Sequence, residues 1–512
     1  MAVKPGKTEP TNIKRIISGT IWSQLSRIGD VGLSFLYGVL VVRALGTHDY
    51  GTYLSILNLP NLMVTVVGFG LSEVLLRYLP KFHNDKVFSQ FSLLKTFLMI
   101  RLIGSLIAGA ILFGIAPWLA SWFANPIIGT VGGLLLLLVV SFNINELLNS
   151  YSIANFQLKL YFLVRSITQL ASIAVVFSWF YLFKPDPLVP LVVLVVTQSI
   201  QSLIYLWKAP WQEVLKSKAF SKNGQVGIYK YSRDVWLINL FTYALSGQFD
   251  ILILSVIPKD QVQVAYYGLV SLFLSRIQSL VTGWGLLSTS VIASVQAEKG
   301  KMGLSRYFNY YYKLSLLTML PTMAAVFAVS SSFIPLVYGN EFSQVVPLIW
   351  VYTMFIGISV CFGSISSTSF ILVLNRQSRV LKWRVTFGLI NIILDIILIP
   401  PLGALGAIIA TGLANNTLHL IEILMLKDVI KFFPWSFLLK MLGAVILAGA
   451  IGLTYTLPVQ SRLLGLIVAG LSFSLTFGVM LLLLKPFDKA DLALAQNLRP
   501  GITNKLRHFT SN

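Results

Sequence analysis

The chain is organised as long runs of apolar residues separated by short polar segments. A helix needs about 20 mainly apolar residues to cross the hydrocarbon layer of a bilayer. Fourteen runs are candidates for such helices, the run at 385–399 being short, and the pattern therefore predicts an all-α integral membrane protein with about fourteen transmembrane helices. The runs are Ile16–Leu45, Thr52–Leu79, Phe91–Phe113, Ile127–Ile153, Tyr161–Phe183, Leu188–Trp207, Trp236–Ile257, Ala265–Ala293, Leu314–Phe333, Val346–Leu374, Val385–Ile399, Ala404–Leu426, Trp435–Thr456 and Leu463–Leu484.

Composition supports the same class. Apolar residues make up 56 % of the 512 residues and charged residues 11 %, against roughly 25 % charged in soluble proteins. The single cysteine, Cys361, excludes a disulfide framework. No phosphate-binding loop motif occurs, which excludes ATP-driven transport by this chain alone. We predict no cofactor and no metal site, because no set of His and Cys residues has ligand spacing.

Basic residues set the predicted orientation. Of the 39 Lys and Arg residues, 31 lie in predicted inner segments when the N-terminus is inside, and only Arg43, Lys184, Lys259 and Arg462 lie outside. Cytoplasmic loops collect Lys and Arg, so both termini are predicted to be cytoplasmic. The net charge of +21 is then explained by topology and by contact with anionic lipid rather than by nucleic acid.

The second group of six runs repeats the first. Matches occur in order at offsets of 217 to 220, and, with a small gap in the first outer loop, they include Ser26 and Asp30 with Ser246 and Asp250. An even number of spans gives both copies the same orientation, which is a transporter architecture. We therefore predict two repeated six-helix bundles followed by two further helices. The predicted divisions are a first bundle at 1–207, a cytoplasmic connector at 208–235, a second bundle at 236–427, helices 13 and 14 at 428–485, and a cytoplasmic tail at 486–512.

Charged groups inside hydrocarbon are costly and usually face a cavity or a partner. Acids predicted to line a cavity or couple an ion are Asp30, Glu146 and Asp250. Arg27 and Asp30 could instead neutralise each other at i, i+3, and the Asn415, His419 and Glu422 stripe equally suits hydrogen bonds between helices. The residues predicted to contact substrate are Arg27, Arg101, Arg276, Asn61, Asn145, Gln201 and Asn415.

Five segments carry a resemblance to a known family. They are Arg43–Tyr53 (RALGTHDYGTY), Gly70–Pro80 (GLSEVLLRYLP), Gly247–Leu254 (GQFDILIL), Val337–Phe342 (VYGNEF) and Ile399–Ala410 (IPPLGALGAIIA). The chain resembles the polysaccharide (O-antigen type) flippases of the multidrug/oligosaccharidyl-lipid/polysaccharide exporter superfamily. This resemblance implies twelve to fourteen helices in two lobes around a cationic cavity. It also implies transport of undecaprenyl-diphosphate-linked glycans across the bacterial inner membrane.

Leu25–Gly29 (LSRIG) is also similar to the lipid II flippases. Gly32–Phe35, however, stands where those proteins have a second Arg-Asp pair, and Arg77–Pro80 departs from their loop pattern. A lipid II flippase is therefore kept as an alternative.

The sequence thus favours a multi-pass flippase of the cytoplasmic membrane that moves lipid-linked oligosaccharide by alternating access of two bundles around a cationic cleft. Expected partners are membrane lipids, the glycan substrate and, in biosynthesis, glycosyltransferases and a polysaccharide polymerase. The main alternative is an ion-coupled multidrug exporter in which Glu146 and Asp250 bind organic cations. The predicted outer loops are short and carry few acids, which argues against an enzyme.

Overall fold

The structure is a computed structural model that describes residues 10–82, 90–155, 157–208, 211–217, 226–281, 288–374, 376–430, 433–456 and 461–487. Within these ranges the chain forms eighteen α-helices and no β-strand. It divides into two compact units, Met1–Tyr243 and Ala244–Asn512. The predicted boundaries at 207/208 and 235/236 stay predictions.

The helices up to the division between the units are α1 (Pro10–Val67), α2 (Leu71–Phe82), α3 (Gln90–Trp122), α4 (Pro126–Thr130), α5 (Gly132–Ala154), α6 (Leu158–Leu182), α7 (Leu188–Lys208), α8 (Trp211–Lys216) and α9 (Val226–Ala244). The helices that follow are α10 (Gly247–Val256), α11 (Gln261–Val281), α12 (Ser288–Val337), α13 (Val345–Cys361), α14 (Ser364–Val373), α15 (Gln377–Leu402), α16 (Ala404–Leu424), α17 (Trp435–Thr456) and α18 (Arg462–Leu484). A short 3₁₀ turn, Asn340–Phe342, precedes α13.

The all-helical membrane fold predicted from the sequence is confirmed. In the described residues, 11 helices are long and apolar enough to cross a membrane, or 13 if two bent pairs each count as one span. One of these runs, Ile28–Val67, has 40 residues, about 60 Å of helix at 1.5 Å per residue and roughly twice the hydrocarbon thickness. It contains the non-helical residue Gly46. Two spans in this run would bring the total to the predicted fourteen, and that count stays a prediction.

Breaks divide several predicted spans. The second predicted span is divided between two helices, since α1 ends at Val67 and α2 begins at Leu71. In the turn between them, Phe69 and Gly70 have positive φ. Glycine is required at position 70, since a Cβ there would lie 2.7 Å from the carbonyl oxygen of Ser232. The pairs α9–α10 and α13–α14 are bent by 55° and 52°. Broken helices leave backbone groups that side chains must satisfy inside a membrane.

Apolar side chains lie on both the inside and the outside of the units. Leu75, Leu93 and Leu147 are fully buried where α2, α3 and α5 meet. On α18, by contrast, Leu475 is 72 % exposed. A surface this apolar suits lipid rather than water. The two last helices pack on each other and on α12.

Candidate functional site

Two buried carboxyl groups lie together in the second unit. Asp250 of α10 and Asp395 of α15 are both 0 % exposed. Thr411 of α16 donates its hydroxyl to Asp250 at 2.6 Å, and Tyr267 of α11 also donates to it. The Asn391 amide lies 3.0 Å from Asp395 and 3.5 Å from Asp250. These five residues form what we call the acid cluster.

The bend between α9 and α10 positions this cluster. It brings Asp250 into the first turn of α10, where free backbone amides favour a negative charge. The Asn391 amide donates to Ala244 O at 3.0 Å and the Asn415 amide donates to Leu245 O at 3.1 Å, so side chains satisfy the carbonyls at the bend. Gly247 allows α11 to approach, because a Cβ there would lie 2.2 Å from Ser271 Oγ.

The acid cluster has only oxygen and amide groups. Among the described residues, neither carboxyl has a Lys, Arg or His partner. One carboxylate oxygen, Asp395 Oδ1, is buried without a hydrogen-bond partner in the part of the chain that the structure describes. Two adjacent buried carboxylates repel each other strongly in a low dielectric. The arrangement is therefore chemically suited to hold a proton or a small cation that prefers oxygen ligands.

A third buried acid, Glu422 of α16, has different partners. Glu422 is 1 % exposed. It lies 3.5 Å from the Arg384 guanidinium, 3.1 Å from His419 Nδ1, and accepts from Ser367 at 3.2 Å. This acid therefore has cationic and polar partners within the same unit.

A cavity of about 430 Å³ lies beside the acid cluster, inside the second unit. It is lined by residues of α11, α12, α13, α14 and α16. Thr411 lines it and also bonds Asp250, so the cavity and the acid cluster share a wall. The predicted substrate residue Asn415 lines it as well.

Arg276, the predicted cation of the second bundle, belongs to the same region. It is half-buried on α11. Its neighbours along the helix, Ser275, Gln278 and Ser279, line the cavity. Asn415 therefore lines the cavity that adjoins the acid cluster, whereas Arg276 itself is not one of the lining residues.

Arg101 in the first unit meets an acid on another helix. It is 1 % exposed, and its two terminal nitrogens lie 3.3 Å from the two carboxylate oxygens of Glu146. It also donates to Asn143 at 2.7 Å and to Ser72 at 2.8 Å. The Glu146 side chain is 43 % exposed. Arg101 is therefore a buried cation whose acidic partner is reachable from outside the helix packing.

Asn145 and Gln201, both predicted substrate residues, bond to each other. The Asn145 amide donates to Gln201 Oε1 at 2.9 Å, and the Gln201 amide donates to Thr168 at 2.6 Å. Both side chains are buried where α5, α6 and α7 meet. This network links three helices. Asn61 lies apart from it, half-buried on α1, and its side chain has no hydrogen bond to another described residue.

Asp30 of α1 forms an ion pair with a basic residue of another helix. Its carboxylate lies 3.2 Å from Arg165 Nε of α6. Arg165 in turn donates to the Tyr161 hydroxyl at 2.6 Å. The backbone of Arg27 belongs to α1, but its side chain lies outside the described residues, so its predicted roles stay predictions.

Of the five residues in the acid cluster, only Asp250 was a predicted site residue, and Tyr267, Asn391, Asp395 and Thr411 were not. Asn391 and Asp395 are spaced i, i+4, which puts them on one face of a helix, and this spacing could have singled them out. Thr411 carries no such signal, since Thr is common in membrane helices. Its role depends on how α16 packs.

A profile of a family described as "Polysaccharide biosynthesis protein" matches residues 12–347. The chain belongs to this polysaccharide biosynthesis protein family. It is also 22 % identical to an uncharacterised membrane protein of Methanocaldococcus jannaschii, over 92 % of this chain and 95 % of that protein.

Solved structures share the fold of this family member. A lipid II flippase, MurJ, in an inward closed conformation has a TM-score of 0.67 at 15 % identity, over 90 % of this chain and 98 % of that one. An inward-facing multidrug resistance transporter of the MATE family has a TM-score of 0.60 at 14 % identity, over 80 % and 98 %. A transporter of the same superfamily from Pyrococcus furiosus, described by the reverse polarity of its binding pocket, has a TM-score of 0.55 at 14 % identity, over 81 % and 95 %. These proteins are transporters rather than enzymes, and at this identity the likeness shows the fold.

Proposed function

We propose that this protein is a flippase for lipid-linked oligosaccharide in polysaccharide biosynthesis. The observation that carries the proposal is the match of residues 12–347 to the polysaccharide biosynthesis family, together with a fold shared with a lipid II flippase. A sugar diphosphate cannot cross about 30 Å of hydrocarbon unaided, so assembly on one face and use on the other require a carrier.

The cations of both units support a substrate that carries phosphate. Arg276 lies next to residues that line the cavity. Arg101 is held by Glu146, whose exposed carboxylate a diphosphate could displace. Moving negative charge outward across an inside-negative membrane is favourable by about 2.3 kcal/mol per charge per 100 mV. We propose the cytoplasmic membrane as the location, with glycosyltransferases supplying the substrate and a polymerase consuming the product.

We further propose that the acid cluster is the coupling site. Its two carboxyl groups can exchange a proton or a monovalent cation, and the partner groups Tyr267, Asn391 and Thr411 respond to that exchange. Asp250 is fully buried in this structure, whereas Glu146, the other acid of the multidrug-exporter alternative, is 43 % exposed.

The test is flipping in proteoliposomes. An undecaprenyl-diphosphate-linked N-acetylglucosamine is placed in the inner leaflet, and an added galactosyltransferase modifies only molecules that reach the outer leaflet. We expect the protein to accelerate this modification over protein-free liposomes. Ethidium transport is measured in the same vesicles. Ethidium transport without glycolipid flipping would replace this proposal with the drug exporter, and imposed proton or sodium gradients identify the coupling ion.

A further inference from the structure

Among the described residues, the cavity of the second unit has no carboxylate, ammonium or guanidinium group in its lining. Ten of its sixteen lining residues carry hydrogen-bonding side chains, and none is Asp, Glu, Lys or Arg. Phosphate groups are recognised by Arg and Lys forks, and organic cations by acids or aromatic cages. The lining fits neither. It fits a ligand that presents hydroxyl and amide groups without charge.

Several lining groups have hydrogen-bonding capacity to spare within the described residues. The amide of Asn416, 7 % exposed, donates to Phe355 O and Gly412 O, but its Oδ1 is buried without a partner. His419 uses Nδ1 on Glu422, which leaves Nε2 unpaired. The hydroxyls of Ser359 and Ser364 make no hydrogen bond to another described residue. A buried acceptor without a partner is costly, so a ligand donor at this wall is favourable.

The remaining wall is apolar. Phe355, Ile356 and Ile365 lie among the polar groups. A pyranose ring has the same division, with hydroxyls around its edge and C–H groups on its faces. The volume of about 430 Å³ is within the roughly 300–1,000 Å³ of small-ligand sites.

We propose that this cavity binds a neutral sugar residue of the lipid-linked glycan, while the diphosphate stays outside it. The inference rests on the proposed flippase function and adds the place where the sugar is bound. The serines flanking the break between α13 and α14, Ser359 and Ser364, and the Asn416 acceptor are its specificity-determining residues.

The test compares two lipids on the purified full-length protein in nanodiscs. The probes are undecaprenyl diphosphate and undecaprenyl-diphosphate-linked N-acetylglucosamine, and binding constants are measured by native mass spectrometry. The variant Ser359→Ala with Ser364→Ala removes two hydroxyls with little change of shape. The matched control is Ser472→Ala with Ser474→Ala on α18, where both hydroxyls donate to the backbone of their own helix. Asn416→Ala is the third variant.

We expect the wild type to bind the glycosylated lipid about tenfold more tightly than the bare diphosphate, as one or two additional hydrogen bonds provide. The Ser359/Ser364 variant should lose this preference and keep its affinity for the bare diphosphate, whereas the α18 control keeps both. Equal affinities of the wild type for the two lipids, or equal losses for both lipids in the cavity variants, would overturn the sugar site and leave the flippase intact. Binding of neither lipid by the wild type would overturn the flippase itself.

Discussion

Each unit contains a membrane aspartate, and the two aspartates have opposite kinds of partner. The predicted sequence repeat aligns Asp30 with Asp250. In the first unit, Asp30 is neutralised by Arg165 at 3.2 Å. In the second, Asp250 has no cation among the described residues and lies with a second acid, Asp395, through the shared amide of Asn391.

This difference separates a structural ion pair from a site that can change its charge. A carboxylate beside a guanidinium stays ionised, because the guanidinium is always protonated and the pair is already neutral. A carboxylate beside another carboxyl needs a proton or a cation from outside the protein.

The largest effect is expected from Asp250→Asn. Asparagine keeps the shape and accepts hydrogen bonds through one oxygen, but it cannot exchange a proton. We expect ion-driven flipping to fall about 100-fold, at the upper end of typical coupling energies, while thermal stability is retained. The measurement is flipping in proteoliposomes under an imposed gradient. The matched control is Asp30→Asn, which should keep gradient-driven transport. If Asp250→Asn transports as fast as the wild type, Asp250 is not a coupling residue and the two aspartates do not differ in function.

Arg101→Ala extends the comparison to a pair with one buried and one exposed member. Removal of one partner of a buried ion pair costs about 3–5 kcal/mol, and we expect the lower half of that range because Glu146 is 43 % exposed and can be hydrated. The thermal unfolding midpoint of the purified protein should therefore fall, and glycan flipping should stop.

Glu146→Gln in the Arg101→Ala background decides between the two roles of Arg101. A structural pair predicts that stability and flipping both return. A substrate site predicts that stability returns and flipping does not. Full flipping by the Arg101→Ala single variant would exclude Arg101 from the substrate path.

Arg165→Ala tests the ion pair of the first unit, in which Arg165 neutralises Asp30. It leaves Asp30 unpaired, and because the two side chains are 36 % and 22 % exposed, we expect a loss of about 1–2 kcal/mol in the free energy of unfolding. Adding Asp30→Asn should recover most of this loss. Thermal unfolding of single and double variants measures it. An additive double variant would mean that the two side chains do not interact.

The smallest effect is expected outside the membrane spans, at Arg376 and Asp428. Their side chains meet through two hydrogen bonds of 2.7 and 2.5 Å. The hydrogen bonds from Arg376 lower the pKa of the Asp428 carboxyl. The pair therefore stabilises the fold at pH values above the unfolded pKa of about 4, and the contribution disappears as the pH falls through the lower folded pKa.

For this exposed pair we expect Asp428→Asn to cost no more than about 1 kcal/mol at pH 7. The difference in unfolding midpoint between wild type and variant should stay constant from pH 7 to pH 5 and vanish at the most acidic pH. A difference that instead grows toward low pH would contradict the assigned pKa direction.

The helices could be predicted from the sequence, but only some of the partners of the charged side chains could. Long apolar runs are a local property, so the all-α membrane class followed directly. Arg101 has no acidic residue at i±3 or i±4 on its own helix, and its acidic partner, Glu146, lies on another helix. The pairing of Asp30 with Arg165 could not be foreseen, because it depends on how α1 and α6 pack. The breaks at Gly70 and at Ser246 were hidden inside apolar runs, since hydropathy does not report backbone conformation.

The Thr411 hydroxyl has a single hydrogen, which it donates to Asp250. The same residue lines the cavity. An occupant that takes this hydrogen withdraws a donor from the carboxylate and makes the negative charge harder to keep, and a carboxylate that recovers its proton releases the hydroxyl to the occupant. By thermodynamic reciprocity, each event changes the affinity for the other by the same factor. If the cavity holds the sugar and the acid cluster holds the driving ion, as proposed above, the Thr411 side chain couples their two affinities within the second unit.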